Sequence, residues 1–220
     1  MLAAVFFDFD GVILDSETPE YESHRQVSEM FGVPLSLDEY LSHVGLYHVD
    51  HETQWFNRLR GRSPNPPDRP TFDAEKRRIF NALVPAAPMR GILELLDAIG
   101  AAGIPMAIAS TSTSRWVVPA SERLGVRPRF ATVVTGDDVQ HRKPAPDVYL
   151  EAARRLNVSP TRSVAIEDSR PGIASARAAG MKTVAIPHWL TERHDLSAAD
   201  LRVAHAGELT LERLATLFVP

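Results

Sequence analysis

Cysteine is absent from the 220 residues, so neither a disulfide framework nor a thiolate zinc site is open to this chain, and a reducing compartment suits it. Lysine is nearly absent too: Lys76, Lys143 and Lys182 are the whole supply, and the other positive charges are arginines. Charge of either sign is not in excess, since 24 Lys+Arg stand against 28 Asp+Glu for a net charge of -4. That excludes a chain-wide basic field for phosphate backbones or anionic lipid, so neither nucleic acid nor membrane is an expected partner. Long apolar runs are missing as well. The first seven residues are apolar but carry no positive flank, and Asp8 and Asp10 interrupt them far short of a spanning helix. No repeat recurs at solenoid spacing. The expected location is cytoplasmic, and the oligomeric state is left open.

What is present is an ordinary globular balance of 44% hydrophobic and 24% charged residues, which predicts a folded chain. Short apolar runs bounded by turn residues recur at 3–7, 104–109, 131–134, 163–166 and 183–186, with a weaker one at 201–205. Between them lie helical spacings such as Ile92, Leu95, Leu96, Ile99 and Val148, Leu150, Ala153, Leu156. The alternation predicts an α/β fold: a doubly wound, mainly parallel, Rossmann-like sheet. Residues 16–88 break the alternation with amphipathic helical stretches and a proline-rich piece at 63–70. They predict a helical cap inserted into a catalytic core of 1–15 and 89–220, placed after the first strand, where open parallel sheets bind ligands.

Asp8 and Asp10 stand just beyond the first strand, and a spacing of two puts both carboxylates on one side of an extended chain. Gly11 suits a tight turn where backbone passes close to a ligand. Taken alone, D-x-D-G fits two readings, a loop capped by its aspartates and a pair of working carboxylates.

The stretch DFDGVILDSE at 8–17 resembles the first signature of the haloacid dehalogenase superfamily, and three more follow in order. MAIASTS at 106–112 resembles the second through Ser110, HRKPAPDVYL at 141–150 the third through Lys143, and AIEDSRPGI at 165–173 the fourth through Glu167 and Asp168. The likeness covers the core, while the inserted segment matches in position and helical character. It implies Asp8 as a nucleophile forming an acyl phosphate and Asp10 as the acid and base of the two half-reactions. Ser110 and the Thr111 amide would hold phosphoryl oxygens, and Lys143 would neutralise nucleophile and phosphate, against its other reading as a solvated loop charge. Four clustered acids beside a phosphate dianion call for a cation, and oxygen donors without cysteine favour Mg²⁺. The family pattern implies ligation by Asp8, the Asp10 carbonyl and Asp168, with Glu167 either a further ligand or the holder of Lys143 or of a metal-bound water.

The resemblance implies a phosphatase acting on a small phosphorylated metabolite, a sugar phosphate by preference. A dehalogenase or phosphonatase of the superfamily lacks the aspartate found here as Asp10. The β-phosphoglucomutases carry a cap histidine where Glu20 stands, with His24 a nearby substitute, and no arginine follows Val44 and Gly45 in Leu46, Tyr47 and His48. A charged Glu20 is expected to disfavour a bisphosphorylated intermediate. The alternatives are therefore a phosphosugar mutase and, from another class, a non-catalytic phospholigand-binding protein. His43, His48 and His51 are read as structural or solvated rather than as a metal site. Arg58, Arg60 and Arg62 are read as a solvated face from which one could reach a second anionic group.

Overall fold

The structure is a computed structural model that describes residues 2–42 and 51–219. The chain forms two compact units, one of residues 1–15 with 86–220 and the other of residues 16–85. Strand β1 (Ala4–Phe7) opens the first unit, and the second is built of helices α1 (Glu17–Met30), α2 (Leu37–Leu41), α3 (His51–Arg62) and α4 (Arg69–Leu83). The first unit then resumes with α5 (Ile92–Ala101), β2 (Met106–Ala109), α6 (Ser114–Arg123), β3 (Thr132–Val134), α7 (Asp147–Leu156) and β4 (Ser163–Glu167). It closes with α8 (Arg170–Ala178), β5 (Lys182–Ala185), β6 (Leu201–Arg202) and α9 (Leu211–Thr216).

The six strands pair in the order β3-β2-β1-β4-β5-β6. Every pairing is parallel, so the expected mainly parallel sheet is wholly parallel among the described strands. The sequence explains this, because AVFF of β1, MAIA of β2 and SVAIE of β4 are buried along their whole length, as strands covered by helices on both faces must be. Phe6 and Tyr149 meet edge to face at 6.4 Å inside a cluster that draws on β1, β2, β4, α7 and α8. The sixth run is shorter than expected, pairing only at Leu201 and Arg202 before the chain turns.

The strand order reverses direction at β1 and β4, so the crevice beyond their carboxyl ends is where this topology places a ligand. Asp8 leaves β1 there, its amide still donating to the Ile166 carbonyl at 3.0 Å, and Glu167 closes β4 one strand away. Two distant sequence segments are thereby brought to one point by sheet register alone.

The helical unit has its own core. Tyr21, His24, Tyr40, Trp55, Phe56, Leu59 and Phe72 are buried in it, with Tyr40 stacked on Trp55 at 5.6 Å and 16°. Helix α4 starts on Asp68, whose carboxylate accepts from the Thr71 amide at 2.8 Å, with Pro70 in the first turn, where its missing N–H is not needed. Arg58 and Arg62 do not point to a spare anion site: both donate to Glu39, Arg62 Nη1 at 2.8 Å, and Arg58 also reaches the Pro34 carbonyl at 2.9 Å. Arg60 is exposed. His43, Val44, Gly45, Leu46, Tyr47 and His48 lie outside the described residues, as does the side chain of His51.

Candidate active site

The site grows from the end of β1. Gly11 takes a φ of 74°, which an L side chain rarely adopts, and a Cβ there would lie 2.6 Å from Asp168 Oδ2. Glycine is thus required twice, by the turn and by the approach of the acid from β4. The turn closes with the Gly11 amide donating to the Leu14 carbonyl at 2.9 Å. Asp8 and Asp168 are both buried, and ligand oxygens of Asp8, Glu167 and Asp168 all lie within 4.8 Å of one another.

Lys143 enters this acid cluster from the segment before α7. Its Nζ donates to Asp8 Oδ1 at 2.8 Å, to Glu167 Oε1 at 2.6 Å and to the Ala109 carbonyl at 2.9 Å. It also lies 5.0 Å from the ring centroid of Tyr149, whose hydroxyl donates to the same Glu167 oxygen. Lys143 is therefore a buried cation spanning two carboxylates, and the solvated-loop reading fails. Glu167 is fully buried and engaged by Lys143 and Tyr149, and holding Lys143 is one of the roles expected of it.

Asp10 turns elsewhere. Ser112 Oγ donates to its Oδ2 at 2.6 Å, Ser110 Oγ reaches the same oxygen at 3.4 Å, and the indole Nε1 of Trp116 donates to Oδ1 at 2.8 Å. Ser110 is buried and its Oγ also accepts from the Ser112 amide at 3.1 Å. Thr111 lies half-buried between them, and its carbonyl would sit 2.3 Å from a Cβ at Gly136, so the loop after β3 packs tightly on this turn. Asp168 accepts from the Thr191 hydroxyl at 3.2 Å.

Sequence reading missed Ser112, Trp116, Tyr149 and Thr191. Ser112 and Trp116 follow Ser110 at two and six residues, so polar donors opening the helix after β2 were the available signal. Tyr149 sits six residues after Lys143, and no local pattern distinguishes it from a core aromatic. Thr191 has no signal in a motif.

The charges do not balance. Burial raises the Asp8 carboxyl most, Lys143 pulls it back, and Glu167 and Asp10 push it up again, leaving it at about 7. The same acids hold the Lys143 ammonium well above its usual value despite its burial. A set of hard oxygen donors short of positive charge fits a divalent cation, with Asp8 and Asp168 better placed to ligate than Glu167, whose carboxylate is already engaged.

A model of the haloacid dehalogenase-like hydrolases matches residues 5–186. The chain belongs to that family. Protein CbbY of Rhodobacter capsulatus is 35% identical over 216 residues, 92% of either chain. The phosphorylated carbohydrates phosphatase of Thermotoga maritima is 31% identical over 183 residues, 83% of this chain and 84% of that one. Among solved structures, CbbY from Rhodobacter sphaeroides in complex with phosphate is similar at a TM-score of 0.76 and 27% identity, covering 98% of this chain and 100% of that one. Within the haloacid dehalogenase-like hydrolases this chain falls in the group of phosphatases and β-phosphoglucomutases, and it is an enzyme of the phosphoric monoester hydrolase class. No described helix is long and apolar enough to cross a membrane.

The helical unit holds a second group of possible ligands, the acids Glu20 and Glu52 with the imidazole of His24, with ligand atoms also within 4.8 Å of one another. A metal is not needed there, because Lys76 Nζ donates to Glu20 Oε1 at 2.7 Å and to Glu52. His24 Nε2 lies 3.2 Å from Glu20 Oε1. Glu20 therefore stays ionised and shares the single Lys76 ammonium with Glu52.

Proposed function

We propose that this enzyme is a Mg²⁺-dependent phosphatase of a small phosphorylated carbohydrate, working through an aspartyl-phosphate on Asp8. The observation that carries it is the pairing of Asp8 Oδ1 with Lys143 at 2.8 Å beside the buried carboxylate of Asp168. The carbohydrate class is supported by relatives, among them the phosphorylated carbohydrates phosphatase and a fructose-1-phosphate phosphatase of Escherichia coli that is 31% identical over 186 residues.

In the first half-reaction an Asp8 carboxylate oxygen attacks phosphorus and the ester oxygen departs with a proton from Asp10. In the second, water attacks phosphorus, its proton passes to Asp10, and the bond between phosphorus and the Asp8 oxygen breaks to release phosphate. Lys143 holds Asp8 in place and offsets charge on the phosphoryl group, while the Ser110 hydroxyl and the Thr111 amide are the proposed donors to its oxygens. The cation, held by Asp8, Asp168 and the Asp10 carbonyl, would supply positive charge to the nucleophile and the transferring group. The helical unit inserted after β1 is read as the cap.

The mutase reading is the one to compare directly, because Lys76 offsets part of the negative charge that Glu20 and Glu52 present. The test incubates the protein with Mg²⁺, β-glucose 1-phosphate and catalytic glucose 1,6-bisphosphate, and follows free phosphate and glucose 6-phosphate together. Metal-dependent release of phosphate is expected on this substrate or on a panel of sugar phosphates. Glucose 6-phosphate formed much faster than phosphate would overturn the phosphatase reading, and full activity after exhaustive chelation would overturn the metal.

A further inference from the structure

The side chains around Asp10 are not equivalent donors. Ser110 and Ser112 are hydroxyls, which donate or accept as the moment requires, and both face Oδ2. Trp116 presents an indole N–H, which donates and never accepts, and it faces Oδ1 at 2.8 Å. An oxygen held by a permanent donor disfavours carrying a proton itself. The asymmetry leaves Oδ2 as the oxygen that can be protonated, with Ser112 able to turn from donor to acceptor when it is.

The indole is itself held in place. Its ring meets Phe9 edge to face at 6.4 Å and 80°, and Phe9 is the fully buried residue between Asp8 and Asp10. The Trp116 amide donates to the Thr113 carbonyl at 3.0 Å in the first turn of α6, and that turn is tied to Asp137, which accepts from the Ser114 amide and hydroxyl at 2.8 Å each. One side chain thus packs on the ring of the residue between the two aspartates and holds one oxygen of the second.

We propose that Trp116 is a positioning residue for proton transfer at Asp10: its indole N–H fixes Oδ1 as a permanent acceptor and so keeps Oδ2, on the Ser110 side, as the oxygen that gives and takes the proton. In the first half-reaction the proton leaves Oδ2 for the ester oxygen as the bond from phosphorus to that oxygen breaks. In the second, a proton of the attacking water returns to Oδ2 as the bond from phosphorus to Asp8 breaks. The inference rests on the phosphatase reading.

The experiment compares p-nitrophenyl phosphate, whose leaving group departs without help, with a primary alkyl phosphate, whose leaving group needs the proton. Trp116→Phe keeps the ring against Phe9 and deletes the N–H. A second variant carrying 3-benzothienylalanine at position 116 keeps the bicyclic shape without the donor and serves if phenylalanine disturbs folding. Expected in single-turnover release of the leaving group, which isolates the first half-reaction, is a fall in rate of roughly tenfold on the alkyl phosphate and less than about threefold on the aryl one, with substrate affinity little changed. In an Asp10→Asn background the same substitution should have no further effect. Equal losses on both substrates, no loss on either, or an undiminished effect in the Asp10→Asn background would each overturn the role of Trp116. A wild-type protein without Mg²⁺-dependent turnover on either substrate would instead overturn the phosphatase reading, and this inference with it.

Discussion

Two of the three lysines make the same construction in the two units, and the outcome is opposite. Lys143 bridges Asp8 and Glu167, and Lys76 bridges Glu20 and Glu52. The carboxylates on Lys143 are 12% and 0% exposed, those on Lys76 33% and 38%. Asp8 is pushed up to about 7, chiefly by burial. Glu20 feels burial too, but His24 and Lys76 together hold it down to about 2. An ammonium between two acids therefore does not by itself say whether the cluster is structural. The helical unit supplies His24 as an extra partner and leaves its carboxylates about a third exposed to solvent, so Glu20 stays ionised. The sheet supplies further acids at much lower exposure and pushes Asp8 up, which is the condition a cation relieves. Lys182, on the surface with Asp200 at 3.1 Å, shows what a lysine here does when neither demand acts on it.

The comparison breaks first if the nucleophile is wrong. Asp8→Asn should lower turnover by about 10⁴-fold or more while circular dichroism stays unchanged, because the side chain ends a strand and supports no packing cluster. Near-normal phosphate release in that variant would remove the covalent step. Next in size are the two lysines themselves. Lys143→Ala strands two acids in the interior and should destabilise by about 3–5 kcal/mol, whereas Lys76→Ala leaves its acids one-third exposed and should cost about 1 kcal/mol or less. Urea unfolding of both variants checks this, and equal midpoint shifts would show that burial is not what separates the clusters. Lys143→Arg should restore little, since a planar fork does not replace a compact ammonium among three acceptors.

How far the sequence carried the reader differs between these clusters for a physical reason. The core cluster was legible because its members stand in four short motifs, three of them at strand ends that a parallel sheet delivers to one place and the fourth, with Lys143, in the segment before α7. The cluster of the helical unit was not, because Glu20 and Lys76 are 56 residues apart on helices whose packing no local pattern fixes. Lys76 as the partner of Glu20 was illegible for that reason. The first five strands were legible from apolar runs to within about two residues, as is usual for element ends, while the sixth ends earlier than its run. Trp116 escaped because a tryptophan near the start of an amphipathic helix reads as core, and only the coordinates reveal where its N–H goes.

Glycines sharpen the contrast at smaller magnitude. A Cβ at Gly172 would lie 1.9 Å from Glu167 Oε2 and 2.0 Å from its carboxyl carbon, in the first turn of α8 beneath the site. Gly172→Ala must displace either the helix or the carboxylate that holds Lys143, and a destabilisation of about 2 kcal/mol is expected with a loss of turnover. Gly61 in α3 has nothing within 4 Å of the same position. Gly61→Ala should therefore stabilise by roughly 0.5 kcal/mol, through the entropy of the unfolded chain alone. Thermal midpoints of the pair measure both signs in one experiment.

The smallest effect tests the origin of the opposite shifts. Glu20 has a folded value of about 2 against an ordinary 4.5, so its contribution to stability is fully present above 4.5 and is lost as pH falls toward 2. With a third of the side chain in contact with water, that contribution is screened to about 1 kcal/mol. The difference in thermal midpoint between wild type and Glu20→Gln should be largest near neutrality and vanish near pH 2. Asp8 runs the other way: its folded value of about 7 lies above the ordinary 3.8, so in metal-free protein its contribution is present below 3.8 and is lost as pH rises through 7. The midpoint of wild type in chelator should accordingly decline relative to Asp8→Asn between those two values, in the window where the Glu20 difference remains largely intact. Parallel pH trends for the two variants would mean that both clusters are governed by their lysines alone, and the distinction between a satisfied ion cluster and an unsatisfied one would fall.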